Sequence, residues 1–518
     1  MESYGGIKIL SLISLGFLAV TLVVYSEVAV SSGSRINGSP DDTYAILWQL
    51  WWYKHSLLRL FSDPSYSAFV EAPYGIAVTH ATVVNHLFAL PLTWAFGPVA
   101  SFNIMVLASF VLSGIGMYLL AMLITGSAAA AFFAGIAYAF SPFHSVFSAS
   151  GGMDGAQIQY LPFTLFFLLR YDAHRKTQDL LCLCLFFLLA VLSFGNYAVL
   201  IAFSVAAYLL YTRCEPLLFP GDRIMHGAKG GPAALFWYGS VAYLAMLIAV
   251  NTFSELVYPL KVLTLMVAPV AIYMGVAKAG FTFHTGLIER LRGMTPARRL
   301  SLALGALIFF AAVLVFLVPV FSASSRNISE SYLVPFYSYL IPAADHPLLG
   351  RFVPRMFIPS PDPFVGKMVR LGFVFSALAL FAVLLILRKA GTRARDLKEE
   401  FFVVLFFLGI CLSLPPLIKT GGFFLYGPIH FLHSAVPPFV DVRRVVVLIL
   451  LSGCVLSAIG LSWLLRQSPL PVLGKAVYGA LLFVLAGEFY PAIDVRDMSR
   501  VPSAYAALSS MPGSFPVV

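Results

Sequence analysis

Residues 444–465 read RVVVLILLSGCVLSAIGLSWLL. One arginine opens the stretch, and no further charge follows until Arg466. A run of roughly 18 or more apolar residues is what an α-helix needs to cross a bilayer, and such runs recur along the chain. Composition agrees. The 518 residues are 60% hydrophobic and only 11% charged, with a mean hydropathy of +0.89, whereas an ordinary soluble domain carries about 25% charged residues. The sequence reads as an all-α polytopic membrane protein.

Spans are expected near 7–30, 100–124, 128–146, 156–170, 178–195, 196–213, 233–253, 257–279, 301–322, 371–388, 400–418, 444–465 and 473–492, about thirteen in all. The first run, Ile7 to Val30, has Lys8 at its start but exceeds the roughly 7–15 residues of a signal-peptide core, so it reads as a retained span. Segment 83–97 is shorter and contains Pro91; it reads as a helix that dips into the membrane or packs at its face. Basic loops at 171–177, 214–232, 280–300 and 389–399 alternate with longer, Gly-, Pro- and aromatic-rich segments at 31–99, 147–155, 323–370 and 419–443. The positive-inside rule then puts the N-terminus in the cytoplasm and the C-terminus outside. The same rule accounts for the net charge of +10 without nucleic acid. The tail 493–518 reads as helix, turn and starting strand, the shape of a further external domain's beginning. The five cysteines form no CxxC pair, which argues against a zinc site or a disulfide framework. No fixed-period repeat stands out.

The first outer segment carries GSPDDTYAILWQLWW at 38–52. Ser39 suits an N-cap, Pro40 the first helical position, and Asp41 and Asp42 the first turn. Tyr44, Trp48, Trp51, His55 and Leu58 then recur at steps of three or four. Trp and Tyr favour headgroup depth, so an interfacial amphipathic helix is expected over 41–61. The plain alternative is that both aspartates only cap it. In the next outer segment, SPFHSVFSASGGMDGAQIQYLPF at 141–163, Asp154 is the one acid, flanked by glycines; Gln157 and Gln159 start the following span and need partners. Loop 323–370 holds Glu330, Asp345, His346, Arg355, Asp362, Lys367 and Arg370, and Glu255 lies in another outer turn. Arg443 and Arg444 open a span on the side where the topology rule calls for no arginine. A guanidinium there suits a lipid phosphate, against the alternative of snorkelling at the interface. Asn37-Gly-Ser and Asn327-Ile-Ser match the glycosylation acceptor pattern.

With these residues in view, the chain resembles the GT-C superfamily of membrane glycosyltransferases. The likeness is carried by DDTYAILWQLWWYKHSLL with the following APYGIAVTH, by ITGSAAAAFFAGIAYAFSPF before an acid-bearing loop, and by FVDVRRVVVLILLSGCVLSAIGL. It covers most of the chain, so 1–492 is expected to form the GT-C-like membrane domain. The resemblance implies an enzyme of hexosyl or pentosyl transfer in the plasma membrane. Its partners would be membrane lipids and a polyprenyl-phosphate or pyrophosphate sugar donor, its acceptor a lipid, glycan or protein. The resemblance places a base or acceptor-orienting acid at Asp42 first and Asp41 second, with Asp154 assisting. Arg443, Arg444, Arg370 and Lys367 are the candidates for the donor phosphate, and Glu255, His346 and Arg355 for the cavity lining. It leaves a divalent cation (Mg or Mn) open and calls for no organic cofactor. Relatives often carry an acid where this chain has Lys367 and Arg370, which weakens a metal site. A transporter or lipid-glycan flippase and a non-catalytic scaffold are the other readings. A transporter should show buried mid-span charges and broken helices, whereas most charges here fall at span ends and in loops.

Overall fold

A computed structural model describes residues 2–38, 40–70, 74–78, 82–218, 370–389, 396–413, 417–420, 423–426, 442–467, 471–489, 491, 493 and 495–498. The spans expected at 233–253, 257–279 and 301–322 lie outside these residues, as do Glu255, His346, Arg355 and Lys367 and the side chains of Asp41 and Arg443. The described chain is mostly helical. It divides into one unit of Met1–Ile201, Val334–Phe381 and Arg443–Val518 and another of Ala202–Leu333 and Ala382–Val442.

The first unit begins with α1 (Glu2–Val24) and α2 (Ser26–Val30), then strand β1 (Arg35–Asn37). Helix α3 (Pro40–His55) follows and ends in a π-helical turn, Ser56–Leu60. Strands β2 (Tyr66–Ser67) and β3 (Ile76–Ala77) pair antiparallel before the long α4 (Val83–Thr125). At Gly97 the backbone turns out of helical geometry, at φ 83° and ψ 170°, with Pro98 next. The short segment and the span predicted on either side are thus two helical pieces joined at one glycine. Only glycine takes that φ without cost.

Next come α5 (Ala128–Ala139), α6 (Pro142–Ala149), α7 (Tyr160–His174), α8 (Thr177–Ser193) and α9 (Gly195–Leu218). The span predicted over 128–146 breaks at Phe140. There the Ser141 hydroxyl caps α6 by accepting from His144 N, and Pro142 takes the first turn. A Ser-Pro pair thus precedes both α3 and α6.

After the undescribed stretch come α10 (Phe373–Lys389), α11 (Leu397–Leu412), strands β4 (Leu417–Thr420) and β5 (Phe423–Tyr426), a 3-10 turn (Val442–Val445), α12 (Val446–Gln467), α13 (Pro471–Glu488) and β6 (Val495–Asp497). Three helical stretches among the described residues are long and apolar enough to cross a membrane: Val83–Thr125, Ala128–Ala149 and Val446–Gln467. Lys8–Val24, Thr177–Ser193 and Gly195–Leu209 are shorter apolar helices.

Helix α12, the run that opened the sequence reading, is the axis of this unit. Every residue from Val446 to Ser462 is buried, and it packs on α4 and α5. Gly460 lets the backbone of α10 approach at Leu378, and the Ser457 hydroxyl donates to Phe375 O at 2.9 Å. At its far end Arg466 donates to Thr125 O, the last residue of α4, at 2.6 Å.

Phe17 of α1, fully buried, fills a notch cut by Gly114 of α4 and Gly135 of α5. A Cβ at either glycine would run into the Phe17 ring. Overpacking a tight core costs about 1–3 kcal/mol. Gly135→Val is therefore expected to lower the detergent melting temperature by several degrees, with Phe17→Ala in the same background restoring part of the loss.

The second unit is held by comparable local contacts. Asp396 caps α11 by accepting from Lys398 N at 2.8 Å. Lys389 meets Glu399 at 3.2 Å, the Tyr211 hydroxyl donates to the Glu400 carboxylate, and Tyr208 packs edge-on against Phe401.

One core cluster binds the first interhelical segment to the bundle. It gathers Tyr25, Ile36, Ile46, Leu47, Leu50, Phe102, Phe110, Phe140 and Met153. The face of α3 turned to the protein is therefore Ile46, Leu47 and Leu50, continued by Trp52 and Tyr53. Tyr44, Trp51 and Leu58, from the predicted aromatic stripe, point outward and are exposed. The tail returns to this segment: β6 pairs antiparallel with β1, Ile36 opposite Arg496, and Met498 N donates to Ser34 O at 2.7 Å. Asn37 is buried in this pairing, which does not suit attachment of a glycan.

Candidate functional site

Two glycines dock the start of α3 onto the loop after α6. Gly38, at φ 118°, lies against the carbonyl of Ala149, where any Cβ would collide. Gly151, at φ 79°, is covered by Thr43, whose backbone nitrogen would stand 2.8 Å from a Cβ there. Thr43 is buried and its neighbour Asp42 is exposed. The helix start thus places Asp42 beside the loop that carries Asp154.

That loop, 150–159, is pinned at several points. Ala156 N donates to Gly152 O at 3.0 Å, and Gln157 N to Asp154 O at 3.2 Å. The Gln157 amide reaches Met153 O at 3.0 Å, and Gln159 donates to Gln157 at 2.7 Å, so both glutamine NH₂ groups donate inside the loop. The Tyr138 hydroxyl donates to Ile158 O at 3.0 Å, and that of Tyr197 to Gly155 O.

Asp154 Oδ1 accepts from Asn85 Nδ2 at 2.8 Å. Burial pushes the Asp154 carboxyl up to about 7, Asn85 draws it back down, and the charge of Asp42 raises it further. The two acids are therefore electrostatically coupled. Tyr53 of α3 lies near enough to feel Asp154: burial, then Asp63 and Asp154, push its phenol up to about 12. Its ring stacks on His86 at 4.6 Å, next in sequence to Asn85.

Asn85 also reaches the junction of α8 and α9. Its amide donates to Ser193 O at 3.2 Å, and its oxygen accepts from Ser193 Oγ at 2.8 Å. Phe194 is extended there, and the Arg444 guanidinium lies over its ring at 4.7 Å. Asp154, through Asn85, and Arg444, through Phe194, are thus linked to one junction. Arg370 makes contacts of its own. It donates to Glu488 O at 3.0 Å, and the Glu488 carboxylate accepts from Phe373 N and Val374 N at the start of α10, so Arg370 is part of a helix-start clamp. Asn85, Ser193, Phe194, Tyr53 and His86 carry no motif. Their signal was faint: an Asn-His pair inside the apolar run VVNHLFALPL, and SFGNY between two spans.

Among the described residues no three His, Cys, Asp or Glu side chains stand together as a metal-binding group. Among the described residues, the two carboxylates of Asp42 and Asp154, one of them already held by an amide, do not make up such a donor set.

No family model matches the chain, and no curated protein matches it in sequence. Among solved structures it is similar to the archaeal oligosaccharyltransferase AglB from Archaeoglobus fulgidus in complex with an inhibitory peptide and a dolichol-phosphate. The identity is 14% and the TM-score 0.50, over 96% of this chain and 58% of that one. The apo form of the Archaeoglobus fulgidus oligosaccharyltransferase matches at 15% identity and a TM-score of 0.48, over 92% of this chain and 55% of that one. The chain thus spans little more than half the length of these structures. In fold, it is similar to a GT-C superfamily membrane glycosyltransferase.

Proposed function

We propose that the chain is a membrane glycosyltransferase. It moves a sugar from a polyprenyl-phosphate or pyrophosphate donor to a lipid, glycan or protein acceptor at the outer membrane face. The observation that carries this reading is the coupled pair Asp42 and Asp154, within a fold of GT-C type. The similar archaeal structure holds a dolichol-phosphate, which supports a lipid-linked donor.

A general base works best with a pKa near the operating pH. Asp154 meets that condition, so Asp154 takes the acceptor proton and exposed Asp42 orients the acceptor, the reverse of the order the resemblance implied. The acceptor oxygen bonds the anomeric carbon, the bond from that carbon to the phosphate oxygen breaks, and the phosphate leaves with the electron pair. Arg444, flat on Phe194, and Arg443 beside it in sequence offset the charge of the leaving phosphate. The outward aromatic face of α3 rests at headgroup depth, where such a donor presents its sugar. The thirteen-span map, the N-terminus-inside orientation and the roles of Asp41, Arg370, Lys367, Glu255, His346 and Arg355 belong to the same proposal.

The test is sugar transfer in membranes from a panel of radiolabelled polyprenyl-phosphate and pyrophosphate sugars. Asp42→Ala is expected to cut turnover at least tenfold, because the acceptor loses the group that orients it. Wild-type turnover in that variant removes Asp42 from the site. Lipid flipping in proteoliposomes without transfer from any donor would favour the flippase reading.

A further inference from the structure

The Asn85 side chain is fully buried and makes three of its four possible hydrogen bonds. One Nδ2 proton goes to Asp154 Oδ1 at 2.8 Å, the other to Ser193 O at 3.2 Å, and Oδ1 accepts from Ser193 Oγ at 2.8 Å. A backbone carbonyl only accepts, so the atom facing Ser193 O must be the NH₂ group, and the amide has one orientation. That orientation aims a donor at Asp154. The partners are remote in sequence, 69 positions for Asp154 and 108 for Ser193, so the arrangement is tertiary. It ties the acid to the α8–α9 junction on which Arg444 lies.

We propose that Asn85, locked by Ser193, is a positioning residue that orients the Asp154 carboxylate for proton transfer. This rests on the assignment of Asp154 under the proposed function. A helix-packing role would need only a polar group filling this space. A positioning role needs an NH donor on the carboxylate, and that donor favours the ionised form. Asp42 and Tyr53, both on α3, are coupled to Asp154, and neither changes when Asn85 is replaced.

The experiment uses the full chain in membranes and two readouts. One is the pH profile of sugar transfer from the labelled donor panel. The other is the infrared band of the protonated carboxyl, titrated with Asp154→Asn as the blank, which needs no turnover. Asn85→Ala is expected to move both midpoints upward by about one pH unit, cutting turnover at pH 7 about fivefold and restoring most of it at alkaline pH. Ser193→Ala removes the hydroxyl that holds Asn85 Oδ1 but keeps the backbone carbonyl that holds its Nδ2, so the loosened amide is expected to give a smaller shift of the same sign, and it serves if Asn85→Ala does not fold.

Loss of turnover by the same factor at every pH, with an unmoved infrared midpoint, overturns the positioning role and leaves Asp154 as base. A moved infrared midpoint with an unmoved activity profile overturns the link to proton transfer. Full transfer by Asp154→Asn overturns this inference together with the assignment beneath it.

Discussion

Asp154→Asn is expected to abolish sugar transfer and, at alkaline pH, to make the protein more stable. The loss follows from removing the proton acceptor, an effect of about 10²–10⁴-fold in turnover. The gain follows from burial. The folded carboxyl titrates at about 7 instead of 3.8, so the folded state holds its proton more tightly than the unfolded chain does. Stability is then unaffected below about pH 4, falls as pH rises towards 7, and stays reduced above that. Three pH units correspond to at most about 4 kcal/mol. Asparagine keeps the shape and can still accept from Asn85, but it carries no charge to bury. Melting curves in detergent at pH 4 and pH 8 test this directly: the variant should gain several degrees at pH 8 and nothing at pH 4. Equal gains at both values would mean that burial of charge is not the cause, and unchanged turnover would remove Asp154 from the chemistry.

Gly151→Val should be the most damaging single change near the site. The position sits at φ 79°, and a Cβ would meet the side chain and backbone nitrogen of Thr43. A β-branched residue at that φ is strained in any surroundings, and here the obstacle includes backbone that cannot swing away. A cost above about 4 kcal/mol is expected, read as a large drop in melting temperature or loss of folded protein. Gly151→Ala should be milder in stability yet still lower turnover, because the loop must draw back from α3 and take Asp154 from Asp42. Thr43→Ala removes only the hydroxyl and methyl, so it should rescue Gly151→Ala in part. Complete rescue would show that the backbone approach is unimportant.

The membrane helices were legible because length and apolar content alone mark them. Pro40 announced the start of α3 through a local rule that needs no partner, whereas the start of α6 at Pro142 lay inside an apolar run read as one span. The face of α3 was read less well. The aromatic spacing was visible, but which side meets protein depended on Ile36, Phe110 and Met153, and these come from distant stretches. Asp154 was noticed as an isolated loop acid. Its coupling to Asp42 was not visible, because it depends on Gly38 and Gly151 closing against Ala149 and Thr43. Asn85 was hidden for the same reason: a polar residue in an apolar run reads as a defect until Ser193 and Asp154 are set beside it. Arg370 shows the converse. Its charge fitted a phosphate ligand by position, and its contacts with Glu488 tie it to the start of α10.

The pairing of β1 with β6 sets an order of events in the making of the protein. Strand β1 leads through Gly38 into the helix bearing Asp42, yet its partner is synthesised about 460 residues later. At roughly 5–20 residues per second, the ribosome reaches β6 about half a minute to a minute and a half after β1 has left it. Throughout that interval the strand beside the acidic centre has an open edge. Assembly of this region is therefore a late step in biogenesis, completed only after α13 has been made, and a nascent chain stalled before Val495 would hold its acids on an unfinished support.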